Sequence, residues 1–335
     1  MNNRSRNYSG CSKIFNVIAA FAAAVLVIFL ALLPSHAQEP ARHFELQAQS
    51  PKFWNLISKD AQLDKVASGF GFTEGPVWDS AGFLYVSDET LNKIFRVFAN
   101  DGRKEEVIAL GDPDGNTYDG GRLVDCASVL RAIIEVSKEG KYKILADHFE
   151  GKKFNSPNDV IVGPDGALYF TDPTLDLVEG QKQEIPFQGV FRLDPSGNVR
   201  LLTKDLTQPN GLAFSPDGKR FYVDDSEQRN IRLYDFAADA TLSNGRIFGE
   251  EPGGKGEGVP DGIKVDQSGN LFVTGPKGIW VWSPSGVHLG TIAMPEQPAN
   301  LTWGGHNLQT LYITATTSVY RLPVKTKGFL PAKSR

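Results

Sequence analysis

The chain is poor in the residues that several common kinds of functional site require. It has two cysteines and five histidines in 335 residues. No H-x-x-x-H spacing and no G-x-S-x-G is present, so neither a histidine-rich zinc site nor a serine nucleophile elbow is indicated. Cys126 is the only cysteine after residue 37, which excludes an intrachain disulfide there. The chain has no basic run, and this disfavours nucleic acid and anionic lipid as partners.

The first 37 residues differ in composition from the rest. Arg4, Arg6 and Lys13 precede an apolar run over 14–33, and Ser35-His36-Ala37 offers small residues at both cleavage-site positions. This pattern predicts a secretory signal peptide and a periplasmic or secreted protein. An uncleaved anchor is the alternative, because the run approaches spanning length. Removing the three basic residues takes the formal charge from −4 to −7, and we expect no membrane contact after cleavage.

A short step with one polar residue beside a proline or glycine recurs six times, and a small apolar strand follows each step. The central residues of these strands are 39 to 53 residues apart, which is the size of a propeller blade. Those residues are Tyr85, Val124, Tyr169, Tyr222, Phe272 and Tyr312. The period predicts an all-β protein, a six-bladed β-propeller, and six near-equal repeats disfavour a β-sandwich.

We expect the propeller to span residues 63–325, with an irregular lead-in over 38–62 and a tail over 326–335. The last repeat lacks an outermost strand, and Leu63–Ala67 is predicted to supply it. That pairing of N-terminal and C-terminal strands would close the ring and cover exposed sheet edges. Gly-containing pairs between apolar runs, Asn244-Gly245 among them, predict hairpin turns.

A radial arrangement would bring the polar residue of each step to one height beside the central axis. These residues are Glu74, Asp114, Asn158, Asn210, Asp261 and Asn300. Carboxylate and amide oxygens without histidine or cysteine suit a hard divalent cation. One ion is predicted, with calcium the first candidate and magnesium, manganese or zinc as alternatives.

Several segments resemble the motifs of the senescence marker protein (regucalcin)/gluconolactonase family. They are Phe72–Trp78, Asn155–Val160 with Tyr169–Pro173, Gln208–Gly218 and Val259–Asp266, and the resemblance covers about residues 63–322. It implies a six-bladed propeller that binds a divalent metal and hydrolyses sugar lactones. It also implies that Glu74, Asn210 and Asp261 bind the ion, with Asn158 as a further ligand or a substrate contact.

The resemblance does not make Asp114 and Asn300 ligands, and a turn-forming role is equally open for them. For Asp159 and Asp172, a structural role is favoured over support of the site. The chain also departs from the family. Cys126-Ala-Ser-Val129 replaces a common Cys-Glu-His-Gly, and the loop over 173–188 falls where the family's substrate lid lies. A restricted substrate range is therefore expected.

The leading hypothesis is a metal-dependent hydrolase that opens a sugar lactone or a related cyclic ester. Asp261 is the first candidate to orient or deprotonate water, and Asn158 is the candidate substrate contact. A non-catalytic, metal-stabilised binding propeller is one alternative, and phosphotriesterase-like or strictosidine-synthase-like chemistry on a related propeller is another. The lactone, the ion and the oligomeric state stay open.

Overall fold

The computed structural model describes residues 42–119 and 121–330. Within these ranges strands dominate, and the only helix is a single turn, α1 (Phe53–Leu56). No helix of these residues is long and apolar enough to cross a membrane. The predicted signal peptide lies outside the described residues. The strands are, in chain order, β1 Glu45–Ala48, β2 Asp64–Ser68, β3 Thr73–Asp79, β4 Phe83–Asp88, β5 Lys93–Phe98, β6 Lys104–Ala109, β7 Pro113–Asp119, β8 Arg122–Ala127, β9 Ala132–Val136, β10 Tyr142–Ala146, β11 His148–Phe149, β12 Lys152–Lys153, β13 Val160–Val162, β14 Leu168–Asp172, β15 Gly189–Leu193, β16 Val199–Thr203, β17 Pro209–Phe214, β18 Arg220–Asp225, β19 Asn230–Phe236, β20 Leu242–Glu250, β21 Ile263–Val265, β22 Leu271–Gly275, β23 Gly278–Trp282, β24 His288–Ala293, β25 Pro298–Gly304, β26 Thr310–Ala315 and β27 Ser318–Pro323.

Six antiparallel sheets form the blades of a propeller. Blades 1 to 5 are β3–β6, β7–β10, β13–β16, β17–β20 and β21–β24, and blade 6 is β25–β27 with β2. The innermost strands contact one another in ring order, and β25 returns to β3. The predicted all-β, six-bladed fold is therefore confirmed.

The core lies between successive blades. The second strand is buried along its whole length in blades 3 and 5, in β14 and β22, because it packs against both neighbouring sheets. Aromatic pairs join the blades: Tyr169 meets Phe214 with ring centroids 4.9 Å apart, and Trp78 stacks on Tyr312 at 5.1 Å. Such pairs stabilise the packing by more than the burial of their apolar surface alone would.

The ring closes as the sequence predicts. Strand β2 pairs antiparallel with β27, from Asp64 opposite Arg321 to Ser68 opposite Ser318. The Arg321 Nε lies 3.2 Å from the Asp64 Oδ2. The N-terminal strand thus completes the last blade and leaves β27 with a partner on each side.

The lead-in and the tail are more ordered than expected. Strand β1 pairs with β24 as a fifth strand of blade 5, and the fully buried Phe53 of α1 packs in the core cluster of blades 5 and 6. Lys325 N donates to Leu56 O at 2.7 Å, and Phe329 N donates to Val265 O at 3.0 Å. These segments carry little local pattern, because their hydrogen bonds come from blades that are distant in sequence.

One predicted turn is wrong. Asn244-Gly245 lies inside β20, where the register against β19 shifts, and Asn244 has φ of 52°. The hairpin turn falls earlier, with Ala240 N donating to Ala237 O at 2.9 Å. An Asn-Gly pair tolerates the left-handed backbone of a bulge as readily as that of a turn, so the local signal is the same.

Candidate metal and substrate site at the propeller axis

Five of the six predicted polar residues lie at one end of the innermost strands, which we call the mouth of the propeller. Glu74, Asp114 and Asn210 fall in β3, β7 and β17, whereas Asn158 and Asp261 lie just before β13 and β21. The sheet register makes them equivalent, because the residue three positions after each one faces the centre of the second strand. The facing pairs are Val77 with Tyr85, Thr117 with Val124, Ile161 with Tyr169, Ala213 with Tyr222 and Lys264 with Phe272.

Asn300 is one residue out of step. In blade 6 Thr302 faces Tyr312, so the equivalent of the polar residue is Ala299, and Asn300 occupies the following position. In four other blades that following position is glycine. A Cβ built on Gly211 would lie 1.9 Å from Asp261 O, and one on Gly262 would lie 2.3 Å from Asn300 Oδ1. The close approach of the innermost strands therefore explains why glycine follows the polar residue.

Glu74 is buried and only half hydrogen-bonded. Its Oε2 accepts from Gly75 N at 2.7 Å and from Asn300 Nδ2 at 2.9 Å. Its Oε1 is buried and has no hydrogen-bond partner among the described residues. Burial raises the pKa of Glu74 to about 7 against the opposing bond from Gly75, and the Asp159 carboxyl adds to the rise. Such an oxygen is a site that an ion or a proton would stabilise.

Asn158 is held in place by its neighbour Asp114. Its Nδ2 donates to Asp114 Oδ2 at 2.7 Å, which leaves its Oδ1 for another partner. Ser128 Oγ donates to Pro157 O at 2.7 Å and lies 3.3 Å from the same Asp114 oxygen. Burial first, and then Glu89 and Asp176, raise the pKa of Asp114 well above its usual range. Asp114 therefore orients a candidate ligand rather than forming only a local turn.

A similar arrangement joins blades 4 and 5. Asn210 Nδ2 donates to Ser226 Oγ at 3.2 Å, and Ser226 Oγ donates to Pro260 O at 2.7 Å. Asp261 is partly buried. Burial, followed by the Glu74 and Asp159 carboxyls, raises the pKa of Asp261 well above its usual range, while Asn210 opposes the rise by a hydrogen bond.

A lysine that the sequence did not single out lies beside these groups. Lys264 Nζ donates to Asn300 Oδ1 at 3.1 Å, and its charge lowers the pKa of both Glu74 and Asp159. Asp159 is buried and accepts from Val160 N at 2.8 Å. The surroundings of Glu74 thus also include a cation and amide hydrogen-bond donors, which partly balance the negative charge of the carboxyls. The sequence alone does not show which residues of β21 face the axis. Lys264 can be recognised as one of them only once the strand register is known.

Three further carboxyls at the mouth were missed: Glu89, Asp112 and Asp176. They lie in the β4–β5 turn, the β6–β7 connection and the β14–β15 loop. Burial raises the pKa of Asp112 to about 6 and, with Asp112 adding to the rise, that of Asp176 to about 6. The three residues lie at unrelated positions of loops that differ in length, so no motif connects them before the fold is known.

Asp172 has a structural role, as the sequence favoured. Its Oδ2 accepts from Asn155 N at 2.9 Å. Asp88 and Asp225, at the same position of blades 1 and 4, accept from the backbone of Phe72 and Gln208 in the same way. In blades 1, 3 and 4 these aspartates therefore fix the step to the end of the second strand.

The residues at the mouth fit a hard divalent cation. No group of three or more His, Cys, Asp or Glu side chains in the described part of the chain is arranged to hold a metal. A cation would therefore need the amide oxygens of Asn158 and Asn210 beside the carboxylates of Glu74 and Asp261. The partnerless Glu74 Oε1 and the all-oxygen donor set are the two observations in favour.

Comparisons with known proteins agree with this architecture. Residues 72–317 match the family model described as SMP-30/Gluconolactonase/LRE-like region. A gluconolactonase of Zymomonas mobilis is 34% identical over 308 residues, which cover 83% of this chain and 86% of that protein. Pentonolactonase XacC of Haloferax volcanii is 27% identical over 257 residues, covering 72% and 80%. A solved structure described as a gluconolactonase, from Xanthomonas campestris, superposes with a TM-score of 0.77 at 30% identity, covering 86% of this chain and 99% of that one.

The fold and the mouth define a six-bladed propeller with a polar site at its axis. The matched region includes the innermost strands of all six blades and every residue of the axial site. The chain belongs to the SMP-30/gluconolactonase/LRE-like family.

Proposed function

We propose that this chain is a lactonase that opens a sugar lactone or a related cyclic ester with the help of a divalent cation at the propeller axis. The observation that carries the proposal is the equivalent position of Glu74, Asn158, Asn210 and Asp261 at the mouth ends of four blades. The relatives named gluconolactonase and pentonolactonase support a lactone as the substrate.

Glu74, Asn158, Asn210 and Asp261 would hold the cation through oxygen atoms. When bound, a divalent cation supplies Lewis-acid polarisation of a carbonyl and stabilises the charge that develops on its oxygen. Calcium is the first candidate, because it prefers carboxylate and amide oxygens. Asp114 contributes by fixing the Asn158 amide through the 2.7 Å hydrogen bond.

Hydrolysis adds one water molecule across the ring ester. The water oxygen bonds to the carbonyl carbon, the ring C–O bond breaks, and the ring oxygen takes a proton and becomes a hydroxyl. We assign Asp261 to orient the attacking water and to accept its proton. Among the four proposed ligands only Asp261 and Glu74 are carboxylates, and so only they can accept a proton. Asn158 is assigned to contact the substrate or the ion.

The replaced motif keeps a binding propeller as the second candidate. Ser128 lies where many family members carry histidine, and its hydroxyl is bonded to Pro157 O. It therefore serves the packing of blades 2 and 3. A chain without the Glu-His pair could bind a lactone without opening it quickly.

The test is a panel of aldonolactones and simple lactones, assayed with chelator and with each of calcium, magnesium, manganese and zinc. Chelation should abolish ring opening, and at least one metal should restore it. Glu74→Ala with Asp261→Ala should lose both the bound ion and the activity. A matched control is Glu139→Ala with Asp217→Ala, which removes two exposed carboxylates from turns at the opposite end.

Metal content and turnover separate the two candidates. Full occupancy in wild type without opening of any lactone above the buffer rate would favour the binding propeller. Equal metal content in wild type and in the Glu74, Asp261 double variant would exclude the axial metal site.

A further inference from the structure

We infer that Glu89 and Asp112 are specificity-determining residues, which exclude lactones that carry an anionic substituent. The inference rests on the proposed function, because it concerns the substrate of the same site. It goes beyond that function by naming a class of lactone that the mouth rejects and the side chains that reject it.

Backbone contacts tie the two residues to the mouth. Asp112 N donates to Asn92 Oδ1 at 2.9 Å, and Leu110 N donates to Asn92 O at 3.0 Å. The connection that carries Asp112 is therefore fixed to the turn that carries Glu89. Ser128 N donates to Asp112 O at 3.0 Å, which links both loops to the turn that supports Asp114.

The long β14–β15 loop adds a third carboxyl to this wall. Asp176 N donates to Ser156 Oγ at 3.2 Å, and Gln181 Nε2 donates to Val129 O at 3.0 Å. The loop therefore packs beside the step of blade 3 and the turn of blade 2. One wall of the mouth is thus built by Glu89, Asp112 and Asp176 from three loops.

The carboxyls of this wall lie close enough to act on one another. Burial first raises the pKa of Glu89, and the charges of Glu74, Asp176, Asp112 and Asp261 raise it further. Any negative group brought between them would meet the same repulsion.

No cation of the described residues offsets this wall. Glu89, Asp112 and Asp176 take part in none of the ion pairs within the described ranges. Arg131 donates its Nε to Phe154 O and Asn155 O and pairs with Glu184. Lys264 is bonded to Asn300. A phosphate, sulfonate or carboxylate on the substrate would therefore meet carboxyls at this wall, where no cation is among the groups that act on Asp112 or Asp176.

A neutral polyhydroxy lactone suits the same wall. Ionised carboxylates are hydrogen-bond acceptors only, so the hydroxyls of such a ring can donate to them. An axial divalent cation would attract the ring carbonyl in either class of substrate. The discrimination then arises at the substituent, which Glu89 and Asp112 would meet at the wall.

The experiment compares two lactones that share one ring. D-glucono-1,4-lactone carries a neutral hydroxymethyl group where D-glucaro-1,4-lactone carries a carboxylate. The ratio of their kcat/KM values is measured at pH 8 with saturating divalent metal for wild type, Glu89→Gln, Asp112→Asn and the double variant. Asparagine tolerates the left-handed backbone at position 112, where φ is 52°. Glu139→Gln, which neutralises an exposed carboxylate at the opposite end, is the control.

Wild type should favour the neutral lactone, and the double variant should reduce that preference by about tenfold through loss of two repelling charges. Each single variant should give part of the change, and the control none. A preference that is equal in wild type and the double variant, with D-glucono-1,4-lactone still opened, overturns the inference and leaves the proposed function standing. If wild type opens neither lactone above the buffer rate, the proposed function fails, and the inference fails with it.

Discussion

Glu251 is a fully buried carboxyl that lies away from the axial residues, between blades 4 and 5. Its Oε1 accepts from Trp282 Nε1 at 3.0 Å, and its Oε2 has no partner among the described residues. A Cβ at Gly275 would lie 2.1 Å from that Oε2, so the glycine makes the room that the carboxyl occupies. Burial raises the pKa of Glu251 well above its ordinary value, and the bond from Trp282 opposes the rise.

This carboxyl should make stability fall as the pH rises. The folded state holds the proton more tightly than the unfolded chain, so the stability present below the ordinary pKa of 4.5 is lost as the pH rises towards the folded pKa. Glu251→Gln keeps an acceptor for Trp282 and cannot ionise. Relative to wild type, the variant should gain at most about 1.4 kcal/mol of unfolding free energy per pH unit above that value.

Urea unfolding at pH 5, 6, 7 and 8 measures the difference between the two proteins. Glu139→Gln, at an exposed turn position, should run parallel to wild type. Parallel curves for Glu251→Gln and wild type would show that folded Glu251 is already ionised over this range, and would contradict a raised pKa.

At the residue scale the repeat located the residues that open each innermost strand, because a propeller places equivalent positions at one height. Glu74, Asn158, Asn210 and Asp261 were found in this way, and their geometry now supports the proposed metal site. Glu89 and Asp112 could not be found by spacing, since they lie in loops that share no pattern. Their grouping depends on hydrogen bonds between loops, such as Asp112 N to Asn92 Oδ1.

At the element scale the distance between innermost strands decides what the site can be. Gly211 lies in β17 beside the segment before β21, where its missing side chain admits Asp261 O. Local signals predicted the second strand of each blade, but they misplaced the Asn244-Gly245 turn and missed β1. The two errors have different causes: β1 pairs with β24 from a distant part of the chain, whereas Asn244-Gly245 forms a bulge against the adjacent β19 and carries the same local signal as a turn.

Gly211→Ala should force blades 4 and 5 apart. The new Cβ would fall 1.9 Å from a backbone oxygen and 2.9 Å from Ile263 N, and neither atom can move like a flexible side chain. We expect a loss of about 1–3 kcal/mol or more in unfolding free energy. The affinity for the divalent ion should also fall, because Asn210 and Asp261 flank the clash.

Gly254→Ala is the matched control. Its Cβ would lie 3.4 Å from the nearest atom, the Glu257 carboxyl carbon, which is an ordinary contact. Unfolding free energies and calcium titration calorimetry should separate the two variants. Wild-type stability and affinity in Gly211→Ala would contradict the close packing of the innermost strands.

For the whole molecule, two terminal segments hold the propeller together in different ways. Residues 42–62 cover blades 5 and 6 through β1 and α1, whereas β2 completes blade 6 itself. The closing junction also reaches the axis, because Asn300 Nδ2 of blade 6 donates to Glu74 Oε2 of blade 1 at 2.9 Å, and Thr73 N donates to Thr316 O at 2.8 Å. The repeat predicted closure by β2, but nothing local marks α1 as part of the core.

Chains that begin at residues 42, 62 and 70 should therefore differ in stability and in ion binding. Starting at 62 removes β1 and the fully buried Phe53, which should cost at least about 3 kcal/mol, the usual loss for deleting a buried aromatic side chain. The site should still bind its ion, since the blade 1 to blade 6 junction is intact. Starting at 70 also removes β2, exposes the edge of β27 and opens that junction, so aggregation and loss of ion binding are expected.

Thermal unfolding, light scattering and calcium titration calorimetry on the three chains test this order. A chain from residue 70 that unfolds cooperatively at the midpoint of the longest chain, with unchanged affinity, would show that the ring holds without its N-terminal strand.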